Sequence, residues 1–125
     1  MDKPKILIVD DDPDLVQGLN LRLRANHYQT SYATDGLSAV SMARQEQPNL
    51  IILDLGLPAG DGFVVLERLQ QSANLSSIPV IILTARDRQS SRERALKAGA
   101  SAFFQKPVDN GTLLCAIRTT LRYWS

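Results

Sequence analysis

Apolar residues along this chain fall into two alternating rhythms. The first is a short unbroken run rich in Ile, Leu and Val, at residues 6–9, 50–53 and 80–83, with weaker runs at 28–33 and 102–105. Runs of this length suit strands covered on both faces, as in a parallel sheet. The second rhythm is helical. After Asp12 and Pro13, which suit an N-cap and a first helical position, Leu15, Leu19 and Leu23 recur at every fourth residue. Asp35-Gly36 precedes Leu37, Val40 and Ala43, and Gly62 precedes Phe63, Leu66 and Leu69. Ala95 and Leu96 mark a more polar helix that ends near Gly99, and Asp109 caps a last one carrying Leu113, Leu114, Ile117 and Leu121. The chain reads as a βα unit repeated five times. That predicts an α/β domain with a doubly wound parallel sheet flanked by five helices.

Length and composition narrow what such a fold does. The 125 residues fit one domain, expected over residues 1–125, with a core large enough to need no disulfide or metal staple. A formal net charge of +1, spread without a basic stripe, argues against direct nucleic-acid binding. The lone Cys115 excludes an intramolecular disulfide and a multi-cysteine metal site. No apolar run approaches the roughly 20 residues that span a bilayer, and the first residues do not read as a signal peptide. A cytoplasmic protein with no membrane association is expected.

In an open parallel sheet, ligands bind at the carboxyl ends of the strands. Here the first strand ends in Asp10-Asp11-Asp12, the third in Asp54, the fourth in Thr84, and the fifth runs into Lys106-Pro107. Carboxylates gathered there repel one another unless a cation is present. Oxygen donors without His or Cys suit Mg²⁺, with Mn²⁺ as a substitute. Asp10, Asp11 and Asp54 contribute −3 and Lys106 +1, so the site carries −2, which a divalent ion brings to zero. A cation, an ammonium and a hydroxyl around one carboxylate suit phosphoryl transfer, with Asp54 as the candidate nucleophile.

Five segments, VDDD at 9–12, DLGLPAGDG at 54–62, LTA at 83–85, GA at 99–100 and KP at 106–107, together resemble the receiver domain of two-component response regulators. The resemblance covers essentially the whole chain in order. It implies a flavodoxin-like fold with strand order 2-1-3-4-5. It also implies that Asp54 accepts a phosphoryl group from a sensor histidine kinase or phosphotransfer protein. Asp11, Asp54 and the Gly56 carbonyl would hold Mg²⁺, with Asp10 in support. Lys106 would pair with the Asp54 carboxylate and then with a phosphoryl oxygen, and the Thr84 hydroxyl would take another. Pro107 implies a cis Lys106–Pro107 bond. Thr84 and Phe103 would be the switch pair, relaying the change to a surface of helix four, strand five and helix five that meets a downstream protein or a C-terminal output domain. Such a module is a switch with weak self-catalysed phosphorylation and dephosphorylation rather than an enzyme. Gly56 and Arg86, two residues past Asp54 and Thr84, would flank the path of the hydrolytic water, with Arg86 covering the phosphoryl group.

Other residues read more plainly. Asp12 is expected to cap the first helix, Asp61 to fix the loop from 58 to 62, Phe104 and Cys115 to pack, and His27 to face solvent. Receivers that dimerise through helix four, strand five and helix five tend to be acidic where this chain has Ser101 and Ala102, so at most a weak homodimer is expected. Two alternatives stand beside the signalling switch. One is a Mg²⁺-dependent hydrolase with an aspartyl nucleophile, which would carry an acid where Gly56 stands; the other is a degenerate receiver used only for binding.

Overall fold

The computed structural model describes residues 3–58 and 61–124, without the side chains at 88, 123 and 124; Ala59 and Gly60 of the expected loop thus lie outside the described residues. The elements alternate strictly: β1 (Lys5–Val9), α1 (Pro13–Ala25), β2 (Gln29–Ala33), α2 (Gly36–Glu46), β3 (Leu50–Leu53), α3 (Gly62–Gln71), β4 (Val80–Thr84), α4 (Arg88–Lys97), β5 (Ala102–Gln105) and α5 (Asn110–Trp124). The five strands form one parallel sheet in the order β2-β1-β3-β4-β5, as the resemblance implied. None of the described helices is long and apolar enough to cross a membrane.

Both faces of the sheet are covered, which is why its central strands carry apolar residues without a polar alternate. Leu7, Val9, Ile51, Leu53 and Ile82 point to one face and pack with residues of α2, α3 and α4. Ile6, Ile8, Leu50, Ile52, Ile81 and Leu83 point to the other and pack with α1 and α5. Successive side chains of a strand face opposite ways, so each run feeds two cores at once.

The helices begin where short polar side chains satisfy free backbone N–H groups. Asp12 accepts from the N–H groups of Asp14 and Leu15 at 3.0 and 3.4 Å. Asp35 accepts from Ser38 N–H at 2.8 Å, Asp61 from Phe63 N–H at 2.8 Å, and Asp109 from Thr112 N–H at 3.1 Å. At the far end of α4, the N–H of Gly99 bonds Leu96 C=O and that of Ala100 bonds Ala95 C=O, a Schellman closure with Gly99 at φ 109°. The same closure ends α1, with His27 at φ 69° in the left-handed position and exposed. Tyr28 is used up in that closure, its N–H bonding Leu23 C=O, so β2 starts one residue later than expected.

Two expected packing positions are corrected. Leu37 is 67% exposed, because α2 buries the row Gly36, Ala39, Val40 and Ala43, and Leu37 shares its row with the exposed Ser41 and Arg44. Cys115 is also exposed: Leu113 and Ile117 define the inward stripe of α5, and a residue two positions from either lies across the helix axis. In α1 it is Val16, with Leu19 and Leu23, that is buried, while Leu15 is only half-buried.

Candidate functional site

Strand register assembles the site. Val9 stands opposite Leu53, so β1 and β3 end at the same level, and Asp54 N–H bonds Val9 C=O at 2.9 Å. Asp10 and Asp54 therefore leave the sheet side by side. Thr84 stands opposite Gln105, and Lys106 N–H bonds Thr84 C=O at 2.7 Å, which places the lysine just past the same edge. The Lys106–Pro107 peptide bond is cis.

The three consecutive aspartates have three different environments. Asp10 is 2% exposed and turns inward, accepting from Asp12 N–H at 3.0 Å and from Lys106 Nζ at 2.8 Å. Asp11 is exposed, and Asp12 caps α1. Asp54, 7% exposed, accepts from Gly56 N–H at 3.3 Å and lies 3.7 Å from Lys106 Nζ. One carboxylate oxygen from each of Asp10, Asp11 and Asp54 falls within 4.8 Å of the others. Every side-chain donor in this set is a carboxylate oxygen, so the site fits a hard divalent cation. Burial pushes the Asp10 carboxyl above its ordinary range, although Lys106 and the Asp12 N–H oppose it. Burial also works against the charged Lys106, but its hydrogen bond and attraction to Asp10, and then Asp54, hold the ammonium above its usual range.

Thr84 is fully buried, and its Oγ1 accepts from Arg86 N–H at 3.3 Å. Phe103 is 8% exposed and packs in the core with α2, α3 and α4, while Phe104 packs on the opposite face. The Arg86 guanidinium, expected over the phosphoryl position, is instead bonded to Asp61 Oδ2 at 3.0 Å and stands 5.7 Å from the Phe63 ring centroid. Arg94 of α4 covers the same ring at 3.8 Å. Asp61 therefore does more than begin α3; its two oxygens serve Phe63 N–H and Arg86 separately. No local pattern announces this cluster, since its members lie 25 residues apart in the case of Asp61 and Arg86.

A carboxylate cluster beside a lysine and a threonine thus lies at the carboxyl edge of a 2-1-3-4-5 sheet; the chain matches the family model "Response regulator receiver domain" over residues 6–118 and belongs to that family. Receiver domains are signalling switches. Among sequence relatives, Response regulator PleD of Caulobacter vibrioides is 38% identical over 95% of this chain and 26% of its own length. RpaA, a DNA-binding dual master transcriptional regulator of Synechocystis, is 38% identical over 95% of this chain and 49% of its own. The chain thus spans about a quarter and a half of these two relatives. Protein PilH of Pseudomonas aeruginosa is 37% identical, with 94% of this chain and 97% of PilH aligned. A Francisella response regulator receiver domain superposes with a TM-score of 0.91 at 28% identity, covering 98% of this chain and all (100%) of that one. The receiver domain of sensor histidine kinase PA1611 from Pseudomonas aeruginosa, solved with magnesium in its active-site cleft, gives 0.88 at 28% identity over 96% and 98% of the two chains.

Proposed function

We propose that Asp54 is the phosphoacceptor of this receiver, supplied by a sensor histidine kinase or a phosphotransfer protein in a two-component relay. The observation that carries this reading is the buried Asp54 carboxylate, placed within one cluster of carboxylate oxygens and 3.7 Å from Lys106 Nζ. An Asp54 oxygen forms the new bond to phosphorus as the donor's phosphorus–nitrogen bond breaks, and the imidazole leaves with the electron pair. Asp11, Asp54 and the Gly56 carbonyl would hold Mg²⁺, or Mn²⁺ in its place, with Asp10 in support. Bound there, the ion would neutralise charge on the transferring group. Lys106 supplies an ammonium that turns from Asp10 and Asp54 to a phosphoryl oxygen, and the Thr84 hydroxyl donates to another.

Residues 1–125 act as one receiver unit, cytoplasmic, with only weak self-catalysed phosphorylation and dephosphorylation. Output runs through Thr84 and Phe103 to the surface of α4, β5 and α5, which meets a downstream protein or a C-terminal output domain. That is a shift between two populated states. The test is phosphorylation by acetyl phosphate with Mg²⁺, followed by intact-mass spectrometry. One added phosphoryl group is expected on the wild type and none on Asp54→Asn; equal labelling of the variant would overturn the assignment.

A further inference from the structure

We infer that Asp61 is a positioning residue for the phosphoacceptor site, acting through its ion pair with Arg86 to hold the turn that presents the Thr84 hydroxyl. The inference rests on the reading of Asp54 as phosphoacceptor with Thr84 beside it.

Thr84 ends β4, and Arg86 lies in the turn that follows. The Arg86 N–H donates to Thr84 Oγ1 at 3.3 Å. A hydroxyl that accepts there keeps its own proton free to donate elsewhere, and accepting strengthens it as a donor. The hydroxyl's aim therefore depends on where the turn holds the Arg86 backbone. The first turn of the helix that follows supplies little anchorage, its core contacts coming later, at Ala95 and Leu96. In α4, the sequence RQSSRERALK is polar at nearly every position, and among its described side chains only Ser91 and Ala95 are buried.

The turn is anchored across the site instead. Asp61 Oδ2 accepts from Arg86 Nη2 at 3.0 Å, while Asp61 Oδ1 is fixed by Phe63 N–H at 2.8 Å. Phe63, only 3% exposed, lies beneath both guanidinium groups, with Arg94 at 3.8 Å and Arg86 at 5.7 Å from its centroid. Asp61 itself begins α3, whose Gly62 N–H bonds Leu55 C=O, one residue past Asp54. The chain after Asp54 and the chain after Thr84 are thus tied together by one ion pair seated on one ring. An exposed ion pair contributes little to stability. Small misplacements of a group that meets the reacting atoms are costly to function. Those two expectations separate a positioning role from a merely structural one.

The test uses beryllofluoride with Mg²⁺ as the phosphoryl analogue, titrated calorimetrically against wild type, Asp61→Asn, Arg86→Ala and the double variant. Asn retains the cap on Phe63 N–H and removes the charge. Each single variant is expected to bind beryllofluoride about fivefold more weakly, the effect of one misaligned hydrogen bond, with melting temperatures close to wild type. The double variant should be no weaker than either single one, because both remove the same pair. Wild-type affinity in both single variants, tighter binding in Asp61→Asn, or fully additive losses would each overturn the role. Failure of the wild type itself to bind would overturn the phosphoacceptor reading and this inference with it.

Discussion

Lys106 Nζ lies 2.8 Å from Asp10 Oδ2 but 3.7 Å from Asp54 Oδ2, so the lysine leans toward the supporting carboxylate and stands within reach of the acceptor. Both carboxylates are buried, and among the described residues the Lys106 ammonium is the cation paired with them. Removing one partner of a buried ion pair is more costly than removing both. Lys106→Met should therefore destabilise the metal-free protein by about 2–3 kcal/mol, and Asp10→Asn combined with it should recover part of that loss. Urea denaturation of the three proteins measures both. A double variant as unstable as Lys106→Met alone would show that Asp54, not Asp10, carries the unpaired charge.

A second consequence concerns Asp11. It is exposed, yet one of its oxygens falls within 4.8 Å of oxygens from Asp10 and Asp54. In the absence of metal it adds repulsion, and its side chain accepts no hydrogen bond among the described residues. Asp11→Asn should raise the metal-free melting temperature by a few degrees, corresponding to about 1 kcal/mol, while the rise on adding Mg²⁺ shrinks. Thermal scans with and without Mg²⁺ provide the check, and a lower metal-free melting temperature would reveal a structural partner for Asp11.

How much of this was readable in the chain depends on the range of the interaction. The run ending at Val9 and the aspartates after it sit at one strand end because backbone periodicity and a cap at Asp12 put them there, and both signals are local. Leu37 misleads because its spacing to Val40 fits a helical stripe, whereas the stripe that α2 buries runs through Gly36, Ala39, Val40 and Ala43, and its first two members are too small to show in a hydrophobic pattern. Cys115 misleads similarly: its apolar character says nothing about which side of α5 it occupies. The lean of Lys106 toward Asp10 depends on where two strand ends and a turn meet. The turning of Arg86 toward Asp61 depends on α3 and the β4–α4 turn docking over Phe63. Neither leaves a trace in the order of residues.

Asp35, which follows β2, offers a pH test that does not involve the carboxylate cluster. It caps α2, accepting from the Ser38 N–H at 2.8 Å and the Ser38 hydroxyl at 2.9 Å. These bonds hold its carboxyl below the usual range. A depressed folded-state pKa means the stabilisation is fully present above the unfolded value near 3.9 and is lost as pH falls through the folded value. Asp35→Ala should thus have a lower urea midpoint than wild type at neutral pH, and the gap should close as the pH falls below about 3.9. A gap that persists unchanged in acid would mean the cap acts through the neutral side chain.

Gly62 links the fold to the site most directly. A Cβ there would meet Leu55 Cα at 2.4 Å and the Asp54 carbonyl oxygen at 2.5 Å. Both are backbone atoms, so no rotamer change relieves the clash. The requirement is for close approach: Gly62 N–H must reach Leu55 C=O, which it does at 3.0 Å, for α3 to start over the end of β3. Gly62→Ala should therefore destabilise the protein by about 2–4 kcal/mol and displace the Asp54 backbone, so that the Mg²⁺-dependent rise in melting temperature also falls. Gly99→Ala supplies the comparison. Its φ of 109° is strained for alanine, but the atoms nearest the added Cβ belong to the Gln70 side chain, at 2.6–2.9 Å, which can move. A loss of about 1–2 kcal/mol with an undiminished Mg²⁺ response is expected there. Denaturant midpoints and Mg²⁺-dependent melting of the two variants decide the matter. If Gly62→Ala matched Gly99→Ala in both readings, the start of α3 would be free to move off the Asp54 backbone without cost to the site.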